Sequence, residues 1–101
     1  MSYVSRAEAP DYFTHLKPFK GNSLTGQRWN RLLNLPHYTE LPAEYRAQFR
    51  KDAPLYVIFS YDTPIAWYGE LGWVVPNVKY SVTTSRHQGI VRRALTNYTV
   101  I

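Results

Sequence analysis

Residues 55–61 read LYVIFSY, a run that is apolar on both alternating faces of an extended chain. A strand with one wetted face alternates polar and apolar residues, so this run predicts a strand covered on both sides, at the middle of a sheet. Asp62, Thr63 and Pro64 then interrupt it, and they predict a bulge, kink or tight turn because proline has no amide proton to give a ladder. Residues 65–68 resume the strand, residues 69–72 (GELG) form a hairpin loop, and residues 73–75 run back. After Pro76 and Asn77, Val78, Tyr80 and Val82 alternate with Lys79 and Ser81, which predicts one more strand. Residues 55–82 are therefore expected to be an antiparallel meander.

Two segments carry a helical period. Leu41, Tyr45 and Phe49 recur every fourth residue, and Pro42, Glu44, Arg50 and Lys51 suit the ends of a helix over residues 42–51. Near the C-terminus, Ser85 and Gln88 have the spacing of a capping box opening a helix over residues 85–96. Ile90, Val91, Ala94 and Leu95 fall on one arc of that helix with His87, and Arg86, Gly89, Arg92, Arg93 and Thr96 on the other. Glycine inside a helix is unfavourable, so Gly89 marks either a close approach or a tolerated accident. Residues 12–29 give mixed signals: Gly21 and Asn22 mark a turn, and residues 23–27 read as a short strand in preference to the start of a helix. The expected fold is α+β, an antiparallel sheet of three to five strands packed by two main helices. The 101 residues are expected to form a single domain, with residues 1–10 a loosely held arm.

Composition narrows the chemistry. With 45% apolar and 19% charged residues the chain has enough apolar surface for a core, and its three Trp, nine Tyr and four Phe make that core aromatic. The absence of cysteine removes disulfides, thiolate catalysis and sulfur-ligated zinc. No apolar run has the length of a membrane span and the N-terminus lacks an apolar export core, so the expected compartment is the cytoplasm and the Asn97 glycosylation triplet reads as a chance match. The net charge of +5 is uneven: Lys17, Lys20, Arg28 and Arg31 form one block without acids, and Lys79, Arg86, Arg92 and Arg93 form another. Either the blocks share a face that attracts anions, or the excess charge serves solubility.

The strings SYDTPIAWYGELGWVVPNVKYSVTTSRHQ (60–88), GNSLTG (21–26) and LPAEYRAQFRKDA (41–53) give a resemblance as well as a pattern. In these the chain resembles a family of small proteins of unknown function from actinobacterial phages and their hosts. The resemblance implies a phage-encoded or phage-derived protein working in a bacterial cytoplasm, and it carries no functional residues with it.

Few side chains suggest chemistry. Arg86, placed at the start of the last helix, opposes the helix dipole, and with nearby amides it suits a phosphate or carboxylate. His87 has the right chemistry for a general base, but its place on the apolar arc predicts a buried, hydrogen-bonded ring. A triad of Ser85, His87 and Asp62 has nothing in its spacing to support it, and His15 and His37 lack metal-ligand spacing. No catalytic residue, metal or cofactor is therefore expected. Trp67 and Trp73 are expected to pack on one another across their hairpin, the alternative being stacking on bases or a hot spot for a protein partner. The expected function is a non-enzymatic phage accessory protein that binds a host or phage protein through Lys79, Arg86, Arg92 and Arg93. The alternative is nucleic-acid binding by the same basic residues.

Overall fold

The computed structural model describes residues 3–29, 43–61, 63–70, 72–76 and 82–96. In chain order they form α1 (Ala9–Phe13), β1 (Phe19–Lys20), β2 (Leu24–Arg28), α2 (Ala43–Asp52), β3 (Tyr56–Ser60), β4 (Thr63–Gly69), β5 (Gly72–Val74) and α3 (Val82–Ala94). The five strands make one antiparallel sheet in sequential order, so β3, the core of LYVIFSY, is central as expected and all five of its residues are buried. The fold is α+β.

Alternation along the strands builds two cores, one on each face of the sheet. Tyr56, Ile58, Ala66 and Trp73 face α1 and α3 and pack with Phe13, Val91 and Leu95. Val57, Phe59, Trp67 and Val74 face α2 and pack with Trp29, Phe49 and Tyr45. Trp67 lies opposite Val74, and Trp73 lies opposite Tyr68. The expected contact between Trp67 and Trp73 is thus corrected: the two rings are on opposite faces. Trp73 instead meets Tyr68, with ring centroids 5.4 Å apart, and Trp67 meets Phe49 at 5.2 Å. The Trp67 indole also donates to Asp52 Oδ2 at 3.0 Å, fastening the end of α2 to β4.

The interruption after β3 is both a turn and a bulge. Ser60 pairs with Thr63, leaving a two-residue connection in which Tyr61 has φ 55°, as short hairpins require. Ile58 pairs with Ala66 but Phe59 with Pro64, so Ile65 is the extra residue of a bulge. Pro64 sits beside it, beyond the stretch of β4 that pairs with β5, where a missing amide proton costs no ladder bond.

The last helix differs from expectation at its start. It begins at Val82, three residues before Ser85, so Ser85 is inside the helix and the capping box does not form. Ser85 Oγ is buried without a hydrogen-bond partner, while the Gln88 side chain donates to the Pro76 carbonyl at 3.1 Å. Burial explains the extension: Thr84, His87, Gln88, Val91 and Leu95 lie on one helical face and are all buried, so tertiary packing overrides the local cap signal. The strand expected over residues 78–82 lies outside the described residues except for Val82, which is helical. Among the described residues a Cβ on Gly89 would meet nothing within 4 Å, so this glycine marks no close approach to them.

The N-terminal residues read as a loose arm make defined contacts. Val4 bridges to Gly21 in parallel fashion and donates to the Lys20 carbonyl at 2.9 Å, and Ala9 is buried in the core on the α1 and α3 side. Pro10 lies in the first turn of α1, where its ring is tolerated.

Candidate functional site

Ser23, Ser60, Thr84 and His87 form one linked polar cluster. The face of α3 that buries Val91 and Leu95 carries His87 inward until it has no exposed surface. There its Nδ1 lies 2.6 Å from the hydroxyl of Ser60, the last residue of β3. Its Nε2 lies 3.1 Å from the hydroxyl of Ser23, in the turn between β1 and β2. Ser60 donates onward to the Thr84 hydroxyl at 3.3 Å. In the tautomer that carries its proton on Nδ1, the ring donates to Ser60 and Ser60 can donate to Thr84. Nε2 is then left as an acceptor for Ser23.

The electrostatics favour the uncharged ring. Burial lowers the His87 pKa below the usual histidine value, and the positive charge of Arg6 lowers it further. The imidazole is neutral at neutral pH.

A cavity of about 530 Å³ opens over this cluster, lined among others by Arg6, Asn22, Ser23, Tyr61, Arg86 and His87. Tyr61 borders it with a largely exposed side chain whose ring centroid is 6.3 Å from that of His87. Beside it a shallower, more apolar groove of about 400 Å³ runs between α1 and α3, floored by Ala7, Pro10, Ile90 and Ala94, with Arg6 and Arg93 also lining it. Arg6 borders both. Among the described residues no carboxylate is paired with Arg6, Arg86 or Arg93.

The cations singled out from sequence have different fates. Arg86 lines the polar cavity, but it is the fifth residue of α3 and not part of its opening turn, so the dipole-based reason for noticing it does not hold. Arg93 lines the groove, whereas Arg92 is turned to donate to the Pro76 carbonyl at 2.9 Å. Lys79 lies outside the described residues. His87 is the buried, hydrogen-bonded residue its arc predicted, with Ser23 and Ser60 as partners; Asp62 lies outside the described residues. Sequence reasoning passed over Ser23, Ser60 and Arg6. Ser23 lies 64 positions from His87 and Ser60 27, and no helical or strand period links such residues. Trp67 and Trp73 are both buried, which removes their faces from contact with bases or a partner.

Among the described residues no group of three or more His, Asp or Glu side chains is placed to hold a metal ion. No helix among them is long and apolar enough to cross a membrane. The model of a family of unknown function, DUF8033, matches residues 12–96, and the chain belongs to that family. No curated protein and no solved structure matches it.

Proposed function

We propose that this member of the DUF8033 family is a binding module for an acidic, partly apolar segment of another protein, which it holds along the seam between α1 and α3. The observation that carries the reading is the position of Arg6, which joins the apolar groove to the polar cavity, with Arg93 lining the first and Arg86 the second. A segment with apolar side chains on Ala7, Pro10, Ile90 and Ala94 would have its carboxylates within reach of three guanidinium groups. Arginine suits this task because its planar fork grips a carboxylate with two hydrogen bonds. The resemblance described above supports a further part of the reading, that the protein is phage-encoded or phage-derived and meets its partner in a bacterial cytoplasm.

Peptides of Glu and Leu, titrated into the labelled protein and followed by NMR, test the proposal. Shifts should concentrate on residues 6, 7, 86, 90, 93 and 94, the matching Lys and Leu peptides should cause none, and the double variant R6E/R93E should lose the response. A response at other residues, or an equal response to the basic peptides, overturns it. Duplex DNA added in place of the peptide tests the nucleic-acid alternative. Tight binding that falls steeply with salt, and with R92A, would favour that reading.

A further inference from the structure

The polar cavity contains a hydroxyl and a base in the relation that nucleophilic catalysis needs, independently of the groove beside it. Ser23 is partly exposed and lines the cavity, while its Oγ is 3.1 Å from His87 Nε2. That distance is within the reach of a general base, and Nε2 is unprotonated in the tautomer whose Nδ1 donates to Ser60. The opposite nitrogen is fixed by Ser60 at 2.6 Å, and Ser60 by Thr84, so a third group orients the base. Hydroxyls stand here where an orienting carboxylate often stands, which leaves the imidazole a weaker base while admitting the same tautomer. His87 itself lines the cavity beside Ser23, so its Nε2 can exchange a proton with a group bound there.

We propose that Ser23 is a nucleophile activated by His87, and that the polar cavity takes esters bearing a negative charge and transfers their acyl group to Ser23. Ser23 Oγ attacks the ester carbonyl carbon as its proton passes to His87 Nε2. The carbon–oxygen bond to the leaving alcohol then breaks, and the alcohol takes that proton, leaving acyl-Ser23. Water repeats the cycle: it gives a proton to Nε2, attacks the acyl carbon, and frees the acid as Ser23 recovers its proton. The guanidinium groups of Arg6 and Arg86 line the same cavity and select a substrate with a carboxylate or phosphate. Ser60 is a positioning residue that acts through His87.

The full chain incubated with a fluorophosphonate probe, and separately with the 4-nitrophenyl monoester of succinic acid, tests this. One adduct should form, located on Ser23 by peptide mass spectrometry, and S23A should abolish it. H87Q should slow labelling at least about 100-fold, the lower end of what a positioned base supplies. S60A should slow it and S60T restore part of the rate. If H87Q does not fold, the pH profile of the unaltered protein reports on the base: the rate should rise once, with a midpoint below 6.5, and then stay level. The succinate ester should react faster than 4-nitrophenyl acetate, and R86A should narrow that difference. Folded protein without an adduct on Ser23, undiminished labelling in S23A, or a rate that climbs steadily through alkaline pH overturns the proposal.

Discussion

The hydroxyl of Tyr56 occupies the space that a β-carbon on Gly26 would fill. It is held there because it donates to the Lys17 carbonyl at 2.6 Å, across the outer strands of the sheet. Burial also pushes the phenol pKa well above its usual range, so it stays a donor. G26A must displace both this ring and that of Phe19, and should cost about 1–3 kcal/mol. Y56F keeps the ring and loses the bond, and should cost about 1 kcal/mol. Urea denaturation of both variants checks the ranking; a neutral G26A would contradict this packing.

The buried histidine makes stability depend on pH in a set direction. Its pKa in the folded protein is lowered from 6.5, by burial first and by Arg6 second, so as pH falls the unfolded chain takes up the proton first. Its contribution is therefore complete above 6.5 and is lost as pH drops from there toward the folded value. Arg86 lines the cavity beside it and adds no acid to reverse the sign. Melting temperature recorded from about pH 8 to about pH 5 should fall for the unaltered protein and fall less for H87Q.

Two positions on α3 are open to improvement. Ser85 buries a hydroxyl without a partner, and Gly89 has space for a β-carbon. S85A and G89A should each stabilise by about 0.5–1 kcal/mol, through removal of an unsatisfied group and through helix propensity. Calorimetry should show a rise of roughly 4–8 °C per kcal/mol in a domain of this size. A drop in either variant would contradict this account of the helix.

The Pro76 carbonyl accepts from both Gln88 and Arg92. Gln88 is buried and Arg92 exposed, so the two bonds differ in weight although their lengths are similar. Q88A should cost about 1–3 kcal/mol, because it leaves a cavity as well as a missing donor, and R92A no more than about 1. Thermal denaturation compares them; R92A as the more damaging change would show that the guanidinium carries more than this bond.

The sheet was legible in the sequence because its signals are local. LYVIFSY, the proline after it and the two glycines of the next hairpin each sit beside the structure they specify. β1 and α1 were missed because strands and helices of two and five residues are too short for a period to emerge. The capping box misled because Ser85 and Gln88 satisfied a local rule while the burial of Thr84 and His87 against Ser60 acted over a longer distance. The site was the least legible part. Its residues come from the arm, a turn, the end of one strand and a helix, and only His87 and Arg86 had drawn notice.

Among the described residues the outer ribbons of the sheet span only two residues, Phe19–Lys20, and three, Gly72–Val74. A foreign strand needs a longer run of unsatisfied amides and carbonyls to dock beside such a border. Margins this brief offer little backbone for a second copy of a chain that is 45% apolar to stack on.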